Sequence, residues 1–137
     1  MLYGYARVST TEQDLTRQVE ELKAYGVAKE NIYKEKESAK TFEKREIYNS
    51  LIAKCNSGDK IVCTSLDRFS RNVTATIKQI EELEQKGITV VFIKEQIDTS
   101  QKGISKLILS IFSWVAEQER ESLLDRQKKA YDSLERH

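Results

Sequence analysis

Two short segments carry side chains that could do chemistry together: Tyr5-Ala6-Arg7-Val8-Ser9 and Asp67-Arg68-Phe69-Ser70-Arg71. Arg7 and Ser9 are two residues apart, so on an extended chain both side chains point the same way. If the ends of the strands preceding these segments are neighbours, Arg68 and Arg71 converge with Arg7 on one rim. Three guanidiniums beside one hydroxyl repel each other unless an anion sits between them, and the planar guanidinium fork matches phosphate oxygens. Asp67 is placed to orient one of the arginines. A serine among arginines suits phosphoryl transfer, where positioning and charge neutralisation do most of the work. The bland alternatives are a serine that only caps the next helix and a surface loop that happens to be basic. Arg45 and Lys54, on or just before a later helix, read individually as surface charges.

Other chemistries are poorly supported. The only histidine is His137 at the terminus, which excludes a Ser-His-Asp hydrolase in practice. There is no HExxH, no carboxylate pair at metal spacing and no phosphate-cradling GK[ST] loop; Gly58-Asp59-Lys60 lacks the preceding glycine. Cys55 and Cys63 have no Cys/His company and read as reduced, small apolar residues.

The elements that must position these residues follow from periodicity. Leu2 to Val8 reads as a strand, and Ser9-Thr10-Thr11-Glu12-Gln13 as a helix start. Leu15, Val19 and Leu22 continue that helix to Gly26. Ile32 to Lys36 is a short polar strand, and Ile47, Leu51, Ile52 and Cys55 mark a second helix. Lys60 to Ser65 is a third strand, followed by a charged loop from Leu66 to Asn72. Ile77, Ile80 and Leu83 form a helical stripe closed by Gly87, and Ile88 to Ile93 is the most apolar strand, expected to be central and covered on both faces. Strands alternating with helices predict an α/β domain, a largely parallel sheet of four to five strands flanked by helices, followed by one long C-terminal helix. Residues 1–102 form the expected core and 103–137 the long helix of the same domain.

A chain of 137 residues is long enough to bury its own core without disulfides. Its net charge of +1 does not advertise nucleic acid, so any DNA contact must come from local clusters of basic residues. No signal peptide or membrane-length apolar run is visible, and a cytoplasmic protein is expected. From Gly103 onward, Ile104, Leu107, Ile108, Ile111, Phe112 and Val115 form an apolar stripe at helical spacing. At ~1.5 Å per residue this helix would extend ~45 Å, further than a small domain needs, and would want a partner. The alternative is a solvated, charged tail.

Gly4-Tyr5-Ala6-Arg7-Val8-Ser9-Thr10 with Gln13 and Gln18, then Gly58-Asp59, Leu66-Asp67-Arg68 with Arg71, and Glu119-Arg120 closely resemble the resolvase/invertase family of serine recombinases. The resemblance spans essentially the whole chain. It implies that Ser9 forms a transient 5′-phosphoserine bond to DNA, with Arg7, Arg45, Arg68 and Arg71 around the scissile phosphate. Tyr5, Gln18, Lys54, Asp59 and Asp67 match further active-site or supporting positions. The resemblance implies site-specific recombination without metal, cofactor or ATP, by homodimers that join as a tetramer when two sites pair. The stripe from Ile104 to Val115 would then be the dimer interface, and Arg120, Arg126, Lys128 and Lys129 would meet DNA phosphates. Glu35 stands where aspartate is common, Ala39 where glycine is frequent, and the Lys40 to Lys44 loop runs a residue long, which weakens the placement of Arg45. The helix-turn-helix module that follows the long helix in small family members is absent from this chain, so specific DNA binding by the chain alone should be poor.

Two readings from other classes stay open. One is a non-catalytic regulator that keeps the fold and the pairing helix. The other is an α/β enzyme acting on a small phosphorylated metabolite.

Overall fold

The structure is a computed structural model that describes residues 1–8, 12–36, 42–101, 103–104, 106–114, 116–118 and 120. The chain divides into two compact units, Met1–Ile104 and Ser105–His137.

The first unit is built on β1 (Leu2–Val8), α1 (Glu12–Tyr25), β2 (Ile32–Lys36), α2 (Glu46–Lys54), β3 (Lys60–Cys63), α3 (Leu66–Phe69), α4 (Val73–Gln85), β4 (Thr89–Phe92) and β5 (Ile97–Asp98). The sheet runs β2-β1-β3-β4-β5, parallel except for the β4–β5 pair. From β1 the chain moves to one side of the sheet, and from β2 and β3 it moves to the other. Right-handed crossovers therefore place α1 on one face and α2 and α4 on the opposite face.

Packing follows that division. On the α1 face, Leu22 and Val27 close over Ala6, Val62 and Val91. On the other face, alternate residues of the same strands point into an aromatic layer. Tyr5 meets Tyr48 edge-on at 5.4 Å, and Phe69 contacts Phe42, Tyr48 and Phe92. Period-two alternation thus sends Ala6 and Tyr5 to opposite cores. Cys63 lies buried in the aromatic layer, where burial pushes its thiol well above the ordinary range, in keeping with an unreactive apolar role.

Three details differ from the sequence reading. β3, not β4, is central; β4 is covered on both faces but lies one strand from the edge, because the two-residue β5 folds back along it. A two-residue strand is too short to leave a periodic signal. The segment after β3 is not wholly a loop: Leu66–Phe69 makes one helical turn, whose first N–H groups include Leu66 donating to the Glu95 carboxylate at 2.9 Å. That cap comes from distant chain and could not be seen locally.

Gly87 ends α4 with φ +77°, and a Cβ placed there would lie 2.2 Å from Ser57 Oγ and 3.0 Å from Ser57 Cβ. Gly87→Ala should destabilise the protein by about 2–3 kcal/mol, combining left-handed strain with the overlap. Adding Ser57→Gly should recover the overlap part only. Urea unfolding of the single and double variants checks this, and a double variant no better than the single removes Ser57 from the account.

The described part of the second unit is helical at residues 106–114, 116–118 and 120. Leu107, Leu109 and Trp114 are exposed, Trp114 at 62%. Among the described residues, no helix is long and apolar enough to cross a membrane.

Candidate phosphate site

The two motifs meet where β1 and β3, neighbours in the sheet, send their connections to opposite faces. Such a switch point opens a crevice at the carboxyl ends of the strands. Strand pairing shows the opening: β1 pairs β3 only from Leu2–Lys60 to Gly4–Val62, while its pairing with β2 continues to Val8. Past Gly4, the side of β1 facing β3 needs other partners. Gln18 of α1 supplies them at Arg7, accepting from the Arg7 N–H at 3.3 Å and donating to the Arg7 carbonyl at 3.0 Å. A carboxamide takes the place of a missing strand.

Arg7 is buried, and its guanidinium spans the crevice. Nε donates to the Arg68 carbonyl and Nη2 to the Asp67 carbonyl, both at 3.0 Å. Residues sixty positions apart in sequence are thereby joined at one rim. Asp67 orients Arg7 through its backbone carbonyl, while its carboxylate accepts a hydrogen bond from Ser65 Oγ. Burial works to raise the Asp67 carboxyl, but the Ser65 hydroxyl and the Arg68 charge outweigh it and hold it below the usual carboxylate range.

Arg68 points to α1, where its fork meets the Asp14 carboxylate at 2.8 and 2.9 Å. Asp14 also accepts from Gln18 Nε2 at 3.3 Å. Arg71, two residues beyond α3, is exposed and has no ion-pair partner among the described residues. Ser9 lies outside the described residues; Val8, which precedes it, ends β1 at this same rim. An open cleft of about 390 Å³ fronts Arg68, bordered by Arg17, Ser65 and Lys94.

Behind the crevice, Arg45 sits at the N-terminus of α2 with 1% exposure, Nη1 donating to the Phe69 carbonyl at 2.6 Å and the guanidinium stacked 4.1 Å over Phe42. Its Nε has no hydrogen-bond partner among the described residues. It is a buried member of the aromatic layer, not the surface charge that its local sequence suggests. Tyr5 donates to Glu35 at 3.0 Å, and burial pushes its hydroxyl far above the ordinary value, so it stays protonated. Glu35 also accepts the Ile47 and Tyr48 N–H groups at 3.1 and 3.0 Å, capping α2 from a neighbouring strand. Tyr5, Glu35 and Arg45 thus brace the site from beneath.

Two expected members lie elsewhere. Asp59 precedes β3 and accepts from the Met1 ammonium at 3.1 Å and the Asn56 N–H at 2.8 Å. In a parallel sheet this is the opposite edge from Arg7, ~20 Å away at ~3.3 Å per residue. Lys54, in the last turn of α2, is exposed at that same end, where the Tyr33 hydroxyl raises its pKa. Both are corrections to the sequence reading: their chain positions fall at the wrong ends of a strand and a helix. The Asn56 N–H, then the Met1 ammonium, hold the Asp59 carboxyl below its ordinary 3.8. A depressed carboxylate stabilises the fold above its unfolded value, and that contribution is lost as pH falls through the lowered value. Asp59→Asn should therefore melt earlier than wild type at neutral pH, and the gap should narrow below pH 3.8 while chemistry per folded molecule is unchanged. A loss of chemistry without a loss of stability would return Asp59 to the site.

Of the remaining expected residues, Ile104 is buried at the end of the first unit. Leu107, Ile108, Ile111 and Phe112 lie on the second unit's helix, and Arg120 is helical and exposed. Val115, Arg126, Lys128 and Lys129 lie outside the described residues. The sequence reading missed Asp14, Glu95 and the exposed Trp114. Asp14, four residues before Gln18 on one helix, offered only a helical-spacing signal. Among the described residues, no group of three or more His, Cys, Asp or Glu side chains could hold a metal.

The profile of the family described as "Resolvase, N terminal domain" matches residues 2–136. A resolvase of Clostridium perfringens is 37% identical over 135 residues, covering 97% of this chain and 71% of that protein. The transposon Tn3 resolvase of Escherichia coli is 36% identical, over 91% of this chain and 66% of that protein. Among solved structures, the N-terminal catalytic domain of TP901-1 integrase superposes with a TM-score of 0.59 at 26% identity, covering 88% of this chain and 96% of that one. A resolvase family site-specific recombinase from Streptococcus pneumoniae shares the fold, also at 0.59, with 22% identity over 99% and 98% of the two chains.

Proposed function

The chain belongs to the resolvase N-terminal domain family, and from that premise we propose that it is the catalytic domain of a site-specific DNA recombinase acting through a 5′-phosphoserine intermediate. The observation that carries the reading is the Arg7 bridge, which draws the Asp67-Arg68 turn to the end of the strand leading into Ser9.

In the proposed reaction Ser9 Oγ attacks the scissile phosphorus. The Oγ–P bond forms as the bond from phosphorus to the 3′ oxygen breaks; the serine proton leaves and the 3′ oxygen ends as a free hydroxyl. The ester conserves the bond energy, so a 3′-hydroxyl from either partner reverses the attack and restores the DNA backbone. Arg68 and Arg71 neutralise the charge that builds on the phosphate oxygens, while Arg7, spent on backbone carbonyls, fixes where they stand. No metal or nucleotide is required. Dimerisation through the apolar positions of the second unit, and tetramers on pairing of two sites, belong to the same reading; exposed Leu107 and Trp114 support it.

The test uses the full-length protein on a supercoiled plasmid carrying its recombination site, in EDTA and without ATP. A protein–DNA species that survives denaturing gels and disappears on protease treatment is the expected result. Cleavage that depends on added divalent metal and leaves no linked protein would overturn the reading.

A further inference from the structure

The Arg68 fork is filled by a side chain of the protein itself. Asp14 meets it end-on with two nearly equal contacts of 2.8 and 2.9 Å, the geometry in which a guanidinium grips two oxygens of a phosphate. The carboxylate is itself held, since Gln18 Nε2 reaches it at 3.3 Å while the same carboxamide clamps the backbone of Arg7. Asp14, Gln18, Arg7 and Arg68 therefore form a closed ring joining α1, β1 and the turn after β3. The pair is only partly buried, with side-chain exposures of 35% for Arg68 and 19% for Asp14, and it borders the open cleft of about 390 Å³. An incoming phosphate can reach the fork from solvent, and it cannot take both guanidinium nitrogens while Asp14 keeps them.

The geometry points to Asp14 as a positioning residue that stands in for phosphate: it keeps the Arg68 fork extended and aimed until a DNA phosphate displaces it. This rests on the recombinase reading for the identity of the anion, but not on Ser9. Exchange of one anion for the other conserves the charge at the fork, so Arg68 is never left unpaired in the crevice beside Arg7. After exchange, Asp14 retains its hydrogen bond to Gln18.

The test is a cycle of four proteins: wild type, Asp14→Asn, Arg68→Ala and the double variant. Glu21→Gln serves as a control, since Glu21 lines the same cleft and its loss changes the net charge by the same amount. The probe is a short random-sequence DNA duplex, with affinity measured across a salt series. Asp14→Asn should bind about fivefold more tightly than Glu21→Gln, because it alone frees a charged fork. The slope of log affinity against log salt should match that of Glu21→Gln, because the phosphate takes the Arg68 fork in either protein and the number of phosphates contacted is unchanged. The excess should vanish in the Arg68→Ala background. A carboxylate that merely braced α1 would, on removal, lower the melting temperature without tightening DNA binding. The inference is overturned if Asp14→Asn equals Glu21→Gln, if the excess persists without Arg68, or if none of the proteins binds the duplex at low salt. Failure of the recombinase reading would register separately, as absence of the covalent species.

Discussion

Ser9→Ala should reduce the covalent protein–DNA species to background while leaving the fold intact. The side chain loses one oxygen, and only a bond to phosphorus needs that oxygen absolutely. The rival role, capping α1, predicts a different pattern. An Ala at an N-cap costs about 0.5–2 kcal/mol of stability and leaves the chemistry in place. Parallel measurement of unfolding and of covalent capture separates the two, since one role moves each readout alone. The same experiment addresses a non-catalytic regulator, for which wild type and variant would both give no linked species. A variant that still captured DNA at the wild-type rate would transfer the nucleophile's role to another hydroxyl.

Arg7→Ala should damage both stability and chemistry. Removing this buried guanidinium leaves the Asp67 and Arg68 carbonyls without their donor and opens a void between β1 and α3. The two effects together should cost about 2–4 kcal/mol in urea unfolding. With the Asp67-Arg68 turn no longer tied to β1, covalent capture per folded molecule should fall about 100- to 1000-fold, the scale seen when an oriented charge-stabilising donor is lost. Arg7→Lys is the informative companion. Lysine keeps the charge but has no fork, so it cannot reach both carbonyls in the plane that arginine uses. It should regain part of the stability and little of the rate. Full rescue by lysine would mean that charge alone matters and that the bridge does not.

Much of this architecture is legible in the amino-acid sequence. β1 and β2 span the residues that the sequence assigns them and α1 stops just before Gly26, because alternation and a glycine stop are local signals. The meeting of the Arg7 and Arg68 motifs was legible too, as a condition on strand order that the β1–β3 pairing then satisfies. What stayed hidden depends on partners distant in sequence. Glu35 read as a variant residue on a polar strand, yet it receives three hydrogen bonds, two of them from the start of α2. Arg45 read as a surface charge, and only the fold shows it stacked on Phe42. The arginines were expected to wait for an anion. Instead Arg7 is hydrogen-bonded to carbonyls and Arg68 to Asp14, because a charge drawn out of water is costly until it is paired. Asp59 and Lys54 show the converse error. The family resemblance implies active-site or supporting positions for them, while the direction of β3 and α2 puts them at the far end of the sheet from Arg7.

The decisive measurement is to find the atom that holds the DNA. The denatured covalent species would be digested with nuclease and trypsin, and the adduct located by fragmentation mass spectrometry. Cleavage after Arg7 and Arg17 releases the peptide Val8–Arg17, which contains Ser9, Thr10, Thr11 and Thr16. A nucleotide phosphate on Ser9 Oγ, attached through a 5′ oxygen, is the expected result. An adduct on a threonine of that peptide, on Ser65 or Ser70, or through a 3′ oxygen would contradict it.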